Sequence, residues 1–273
     1  MGGPPNWAVS IPREGCGVAR PRACMRSRYP YDQVLALVDE CEACDVLDVG
    51  AGRGALVAEL LWRGLRVRAC DIAPEQLAVP AVEVARVDLN RDPLPFPDEC
   101  FDLVTCCEVI EHLENPHALV REFRRVLRWE GRAIVTMPNI LNVEARLKAF
   151  FSGVSTFHRY LGEGVGRVRA GQGLGHVNPI PLQELLWLGQ AYGMPVESIA
   201  ADYIPAGRRF LVPVAEVIRL FTWAARPRSR SRYSMRLGNS QPVLLGDRLV
   251  VSMLKTDETP RVRVVRARRH WRR

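Results

Sequence analysis

A glycine-rich loop after an apolar run is the first feature of this sequence that could do chemistry. In VLDVGAGRG, residues 46–54, glycine stands at positions 50, 52 and 54, directly after an apolar segment. Gly50 and Gly52 let the backbone approach a ligand without a Cβ clash, and a helix beginning after Gly54 would direct free N–H groups at it. The loop therefore predicts a site for a nucleotide-like ligand.

The loop alone fits two kinds of ligand. Extended by one residue it is Gly50-x-Gly52-x-x-Ala55, which satisfies the dinucleotide pattern, and Asp71 follows at a distance suited to binding both ribose hydroxyls. Asp48, two residues before the first glycine, favours a different ligand. A pyrophosphate gains nothing from a nearby negative charge, whereas a cationic amino-acid group can be oriented by it.

The elements that must position these residues alternate between strands and helices. Apolar runs predict strands at 46–49, 67–70, 83–87, 101–107, 133–137, about 196–200 and 248–255. Between the fourth and fifth strands, Asn115 caps a predicted helix with Pro116 at its first position and Gly131 just past its end. This alternation predicts a doubly wound parallel sheet, whose ligands bind at the carboxyl ends of the strands.

Further motifs at those strand ends carry a family resemblance. Asp88 ends the third strand, and the fourth runs into CCEVIEHLENP, residues 106–116. From VLDVGAGRG through CDIAPEQL, this motif and GRAIVTMPN, the chain resembles the class I S-adenosylmethionine-dependent methyltransferases, particularly the small-molecule branch that includes the ubiquinone-biosynthesis methyltransferases. The resemblance is close over residues 31–140 and looser over 175–194. RLVVSMLK, residues 248–255, resembles the antiparallel seventh strand that distinguishes this fold from a dinucleotide-binding sheet.

The resemblance implies an α/β fold and a cofactor site. The fold would be a Rossmann-like, doubly wound, mainly parallel seven-stranded sheet with the last strand antiparallel. The implied cofactor is S-adenosylmethionine, with its amino-acid group near Asp48. The remaining implied contacts are Gly50 and Gly52 with the methionine part, Asp71 with the ribose, Ile72, Asp88 and Leu89 with the adenine, and the backbone of Cys107. Asp88 has an alternative role as a turn-forming residue.

The predicted reaction is methyl transfer to a nucleophile, expected to be oxygen, of a small-molecule, lipid-linked or glycan substrate. Because the cofactor's methyl group is already activated, orientation supplies most of the rate gain, and a general base is needed only where the nucleophile must lose a proton. The candidate bases are His176, His158, His112 and Glu111, although His112 could simply cap or pack. The alternatives are an NAD-dependent oxidoreductase, an RNA methyltransferase and a non-catalytic S-adenosylmethionine-binding protein.

Composition divides the chain into segments. We predict an irregular arm at 1–30, a methyltransferase domain at 31–256 and a basic tail at 257–273. Within the domain, 141–178 would be a glycine-rich lid or connection and 205–247 an apolar and basic insertion. The net charge of +8 resides in 226–236 and the tail, each contributing +5, so it says little about the catalytic core.

Two segments suggest partners other than a small molecule. RFLVPVAEVIRLFTWAA, residues 209–225, predicts a helix that covers the sheet, mediates a dimer contact or, together with the arginines up to residue 232, docks on anionic lipid. The tail could bind nucleic acid, but a solvated, disordered terminus is the expectation.

Eight cysteines without a secretory leader predict a cytoplasmic protein, with peripheral contact at the inner face of the membrane as an option. Cys41-x-x-Cys44 lacks a second Cys/His pair with matching spacing, so we predict no metal. No uncharged apolar run approaches the ~20 residues that span a bilayer.

Overall fold

The computed structural model describes residues 31–80, 82–153, 177–224 and 229–265, and the side chains of all these except 229–232. The predicted arm at 1–30 and most of the predicted glycine-rich connection therefore lie outside the described residues. So do His158 and His176, two of the candidate bases.

The strands lie close to where apolar patterning predicts them. Their bounds are Asp45–Val49 (β1), Arg66–Asp71 (β2), Val84–Arg86 (β3), Phe101–Cys107 (β4), Leu127–Pro138 (β5), Val196–Ala201 (β6) and Arg248–Leu254 (β7). β5 begins at Leu127 rather than at 133, because the chain enters the strand directly from the preceding helix. Gly131, predicted to follow that helix, lies inside β5, where an added Cβ would come within 2.8 Å of the Arg128 carbonyl oxygen.

These strands form one sheet in the order β3-β2-β1-β4-β5-β7-β6-β8. β7 is antiparallel to both β5 and β6, which confirms the predicted fold class and departs from an all-parallel dinucleotide-binding sheet. The eighth strand, Arg263–Val264 (β8), was not predicted and lies in the segment assigned to the basic tail. It pairs in parallel with β6, and two residues are too few to show a strand periodicity.

The helices alternate with the strands along the first half of the chain and cluster in the second half. Their bounds are Asp32–Asp39 (α1), Ala55–Trp62 (α2), Pro116–Val126 (α3), Val143–Ser152 (α4), Leu182–Ala191 (α5), Val212–Ala224 (α6), Ser229–Gly238 (α7) and Gln241–Leu245 (α8). Short 3-10 turns occur at Pro74–Gln76, Ile110–His112 and Ala206–Leu211. The predicted cap of α3 is present, since the Asn115 side chain accepts the Ala118 N–H at 3.1 Å.

The core lies on both faces of the sheet. Leu47 and Val49 of β1 belong to a cluster that includes Phe123 of α3 and Leu185 of α5, while Val46 belongs to a second cluster with residues of α1 and α2. Because successive strand residues point to opposite faces, helices on both sides leave the ends of the strands as the open surfaces. The carboxyl ends therefore become the place for a ligand.

The glycine loop at the end of β1 leaves no room for a side chain at Gly50. Gly50 has φ +76°, and an added Cβ would lie 2.3 Å from Cγ2 of Val109, which follows β4. Gly64, at the end of α2, has the same φ of +76° but open space around its Cβ position among the described residues. The two glycines thus share a backbone constraint and differ in packing.

We expect Gly50→Ala to destabilise the fold more than Gly64→Ala does. Both variants incur the cost of a left-handed non-glycine residue, roughly 1–3 kcal/mol, and only Gly50→Ala adds a steric clash. Thermal unfolding of the two purified variants measures the difference. Equal losses would show that Val109 moves aside without cost.

Candidate cofactor and acceptor site

The carboxylate of Asp71 fixes the glycine loop to the end of β2. Its Oδ2 accepts the Gly52 N–H and its Oδ1 accepts the Ala73 N–H, both at 2.8 Å. The Gly50 N–H in turn bonds to the Cys70 carbonyl at 2.8 Å. Each carboxylate oxygen keeps a further lone pair, so Asp71 can hold the loop and still accept hydrogen bonds from a ligand.

The space above the loop suits a nucleoside. At Gly52 an added Cβ would meet no described atom within 4 Å. Ile72, next to Asp71, is 59% exposed and offers apolar surface beside the loop, and Leu89 packs partly buried against the core. Contact of Asp71 with a ribose and of Ile72 and Leu89 with a base stays a prediction.

Asp88 has a structural role in the turn after β3. Its Oδ1 accepts the Asn90 N–H at 3.1 Å, and its Oδ2 lies 3.4 Å from Nε of Arg91. Its own carbonyl accepts the Asp92 N–H at 2.7 Å. The turn-forming alternative is therefore present in the structure, and contact with an adenine stays a prediction.

Asp48 is a buried acid directly below the glycine loop. It is 2% exposed, and Thr105 of the neighbouring β4 donates its hydroxyl to Asp48 Oδ1 at 2.7 Å. Burial raises its pKa to about 7, against the lowering effect of the Thr105 hydrogen bond, and the charge of Asp71 raises it further. A cation placed near this carboxyl would favour its ionised form.

The end of β4 holds a constrained acid that the sequence analysis did not single out. Glu108 follows Cys107 with φ 56°, an unusual conformation for a non-glycine residue. Its N–H bonds to Thr136 Oγ1 at 3.0 Å, and that hydroxyl donates to Glu108 Oε1 at 2.9 Å. Burial raises the pKa of the Cys107 thiol well above its usual range, and a contact of its backbone with the cofactor stays a prediction.

Glu111 and His112 lie in the 3-10 turn beyond this strand. Glu111 is 1% exposed, and neither carboxyl oxygen has a hydrogen-bond partner among the described residues. Burial, followed by the charge of Glu108, raises the pKa of Glu111 to about 8. The His112 side chain is 39% exposed, and its Nε2 lies 3.9 Å from Glu111 Oε1. The structure thus brings Glu111 and His112 together at the carboxyl edge.

The chain returns to this turn after the predicted lid. The Glu111 carbonyl accepts the N–H groups of Val177 and Asn178 at 3.1 and 3.0 Å. The Asn178 side chain also donates to the Leu113 carbonyl at 3.2 Å. The described residues that follow His176 in sequence are therefore anchored at the carboxyl edge.

Arg248 and Tyr31 complete the charged surroundings of this edge, and both were missed from the sequence. Arg248 begins β7, where its Nη2 lies 3.0 Å from Asp202 and its Nη1 lies 4.0 Å from Glu108. Burial raises the pKa of Tyr31, and the charges of Cys107 and Asp48 raise it further. A strand antiparallel to the others begins at the edge where the parallel strands end. The predicted antiparallel strand that starts at residue 248 could therefore have indicated that Arg248 lies at the carboxyl edge.

Three polar side chains hold the second half of the chain over this edge. Asn139, after β5, donates to the carbonyls of Val243 and Gly246 at 2.8 Å. Arg208 bonds to the Gly246 carbonyl and to Asp247, also at 2.8 Å. Arg146 of α4 bonds to the Gly238 carbonyl and to Asn239 Oδ1, each at 2.6 Å. These bonds tie α4, α7 and α8 to the end of β5.

Metal and redox roles find no support in the described part of the chain. No group of three His, Cys, Asp or Glu side chains there is arranged to hold a metal ion. Cys41 and Cys44 are both free thiols.

Comparisons with known proteins agree with this arrangement. A family model described as a methyltransferase domain matches residues 47–135. A probable S-adenosylmethionine-dependent methyltransferase of Mycobacterium tuberculosis is 37% identical over 108 residues, which cover 38% of this chain and 39% of the relative. A ubiquinone biosynthesis O-methyltransferase of Xanthomonas oryzae is 35% identical over 116 residues, covering 40% of this chain and 48% of the relative. The matched region spans less than half the length of these curated relatives.

The likeness to solved structures extends over most of the chain. A methyltransferase from Archaeoglobus fulgidus, described as dependent on S-adenosylmethionine, superposes with a TM-score of 0.53 at 15% identity, covering 87% of this chain and 95% of that one. The cyclase SpnF superposes with a TM-score of 0.50 at 18% identity, over 83% and 81%. The fold is therefore shared with proteins of different named activities.

Residues 47–135 thus match a methyltransferase domain and are similar to S-adenosylmethionine-dependent methyltransferases. The family model and the curated relatives confirm the predicted family and its cofactor. The matched segment contains all the predicted cofactor-binding residues, from Asp48 to Cys107, and ends before α4 to α8 begin.

We expect Asp48→Asn to weaken cofactor binding while stabilising the unliganded protein. Because the pKa of Asp48 is raised from 3.8 to about 7 on folding, its ionisation costs stability progressively as the pH rises between these values, the cost is fully present above about pH 7, and an amide removes it. The same change removes the negative charge offered to the cofactor's amino-acid group, so affinity should fall about tenfold. Calorimetric titration with S-adenosylmethionine and thermal unfolding, both near pH 8, measure the two effects. Unchanged affinity would show that Asp48 does not contact the cationic group.

Proposed function

We propose that this protein transfers a methyl group from S-adenosylmethionine to an oxygen nucleophile of a small-molecule, lipid-linked or glycan acceptor. The observation that carries this proposal is the buried carboxyl of Asp48 below a glycine loop fixed by Asp71. An acid at this position suits a cationic amino-acid group and opposes the diphosphate of NAD. The antiparallel β7 argues against the dinucleotide alternative independently.

In this function the protein's residues bind the cofactor and orient the acceptor. S-adenosylmethionine supplies an activated methyl group, so holding the acceptor in line with it provides most of the rate gain. Gly50 and Gly52 admit the methionine part, Asp71 binds the ribose, Ile72, Asp88 and Leu89 lie near the adenine, and the Cys107 backbone closes the site.

The acceptor atom is proposed to be oxygen because several curated relatives are named O-methyltransferases. A hydroxyl acceptor must lose a proton, so a base near the carboxyl edge would assist the reaction. Glu111 meets the requirement for an acid of raised pKa at this edge, and His112 lies beside it. His176 and His158 remain candidates from the sequence.

The pH dependence of turnover, measured on variants of the candidate residues, identifies the base. If Glu111 removes the proton, turnover rises with pH through about 8, where its carboxyl ionises, and Glu111→Gln loses this dependence. If His176 is the base, His176→Ala lowers turnover and leaves cofactor affinity unchanged. His112→Gln tests the neighbouring candidate base in the same assay. Turnover that is indifferent to both Glu111→Gln and His176→Ala would remove both from the mechanism.

We also propose peripheral contact with the inner face of a membrane through residues 209–232. No helix of the described residues is long and apolar enough to cross a bilayer. Helix α6 instead exposes large apolar side chains, with Phe221 77%, Trp223 73% and Leu220 63% exposed. Five arginines and no acid follow within 226–236, which adds attraction for anionic lipid. A lipid-linked acceptor would then be presented at the site by its own membrane.

The membrane contact predicts sedimentation with anionic vesicles at low salt. Wild-type protein should pellet with phosphatidylglycerol vesicles and not with phosphatidylcholine vesicles, and Leu220→Ser/Phe221→Ser should weaken pelleting. Trp187→Ser, on α5, is the matched control because Trp187 is also exposed, at 59%, outside this segment. Equal pelleting by all three proteins would place the contact elsewhere.

The function as a whole is tested by two measurements on the full chain. Calorimetric titration should show binding of S-adenosylmethionine in preference to NAD, and the opposite preference would overturn the proposal. Labelled methyl groups should then appear in an acceptor from lipid, quinone or glycan fractions. Transfer only to an RNA fraction would replace the proposed acceptor class.

A further inference from the structure

A cavity of about 420 Å³ lies between α6, α7, α8 and β8, away from the glycine loop. Arg219 and Trp223 of α6, Arg236 of α7, Gln241 of α8 and Val264 of β8 line it. None of the predicted cofactor-binding residues does so. Its volume lies within the range of small-molecule sites, roughly 300–1,000 Å³.

The floor of this cavity is fixed by internal hydrogen bonds. Thr222 Oγ1 donates to the Ile218 carbonyl at 2.7 Å and accepts from Asn239 Nδ2 at 2.8 Å. Asn239 Oδ1 accepts from Arg146 at 2.6 Å, and Ser240 Oγ donates to the Leu237 carbonyl at 2.7 Å. The polar atoms of the floor are therefore committed to the fold and hold its shape.

Two side chains on the wall of the cavity, by contrast, have polar groups available to a ligand. Arg236 forms no ion pair with any described residue, and the side-chain oxygen of Gln241 is buried without a hydrogen-bond partner in the described structure. Among the described residues, Arg219 forms an ion pair only with Glu216, an exposed partner on its own helix at 2.7 Å. The lining thus offers two guanidinium groups and a rotatable amide, and no acid.

The apolar part of the lining restricts what else the ligand can be. Trp223 is 73% exposed and Val264 is 38% exposed, and both face the same cavity as the arginines. A guanidinium group presents paired N–H donors that match the oxygens of a phosphate, and two of them suit its double charge. An aromatic side chain beside them suits an apolar or ring-bearing substituent.

We propose that this cavity binds the phosphate group of an organic phosphate ester. Arg236 and Arg219 hold the phosphate, Gln241 adds a hydrogen bond after rotation of its amide, and Trp223 and Val264 contact the organic part. Binding here requires neither S-adenosylmethionine nor methyl transfer. A soluble phosphate ester and a phospholipid head group share this chemistry.

The test is a calorimetric titration of the full chain with hexyl phosphate. Arg236→Gln should weaken binding about tenfold or more, the usual effect of losing a charged hydrogen bond. Arg261→Gln is the matched control, because it removes the same charge from an exposed position near β8 that does not line the cavity. It should leave the affinity unchanged. Trp223→Ala should weaken binding of hexyl phosphate and leave that of inorganic phosphate unchanged.

A second arm separates the two sources of the phosphate. Binding of hexyl phosphate supports a soluble ester, whereas Arg236-dependent binding to phosphatidylglycerol vesicles without binding of hexyl phosphate supports a lipid head group. Absence of both, or equal affinity in Arg236→Gln and wild type, overturns the proposal. The affinity of each variant for S-adenosylmethionine reports its folding separately. If no protein binds S-adenosylmethionine, the proposed function fails while the phosphate titration still decides the cavity.

Discussion

The interaction on which the rest of the site depends is a pair of hydrogen bonds from two backbone amides to one carboxylate. Asp71 at the end of β2 accepts the N–H groups of Gly52 and Ala73, and so joins the loop after β1 to the turn after β2. Hydrogen bonds to a charged acceptor are stronger than neutral ones, and both oxygens take part. The loop is therefore shaped before any ligand arrives. Its glycines are required because Gly50, Gly52 and Gly54 all have positive φ angles and because Val109 lies against Gly50.

Around that fixed loop, the carboxyl edge concentrates acids whose ionisation is opposed by burial. Asp48 and Glu111 have raised pKa values, about 7 and about 8. Burial also raises the pKa of Glu108, although the charge of Arg248 acts to lower it. Burying acids costs stability, and acids with raised pKa values concentrate at functional sites, which makes this edge the candidate site. The two acids differ in surroundings: Asp48 accepts a hydrogen bond from Thr105, while the carboxyl of Glu111 has no hydrogen-bond partner among the described residues. Asp48 is thus suited to hold a fixed cation, and Glu111 is suited to exchange a proton with a ligand.

The sequence predicted the cofactor half of the molecule well, because that half is built from local signals. Buried parallel strands appear as continuous apolar runs, and Asn115 with Pro116 begins a helix by chemistry that lies within a few residues. Asp48, Gly50 and Asp71 follow from their places at strand ends. Glu108 and Tyr31 could not be found this way, because their surroundings come from residues distant in sequence. Glu108 bonds to Thr136, and Tyr31 lies near the charge of Asp48. The two-residue β8 shows no periodicity, and only its pairing with β6 reveals it.

The segment that forms α7 and α8 was not predicted to be helical, for a physical reason. Asn139, Arg146 and Arg208 hold it in place largely by donating to backbone carbonyls far away in sequence. Backbone carbonyls are present whatever the residue type, so such bonds leave no pattern in the partner sequence. They also leave the partner side chains free to vary. Helices α6, α7 and α8 can then change their exposed surfaces without disturbing the sheet, and the matched methyltransferase segment ends at 135, before they begin. If the proposed function holds, these helices are the place to look for side chains that select an acceptor, because the fold fixes their backbone and leaves their surface open.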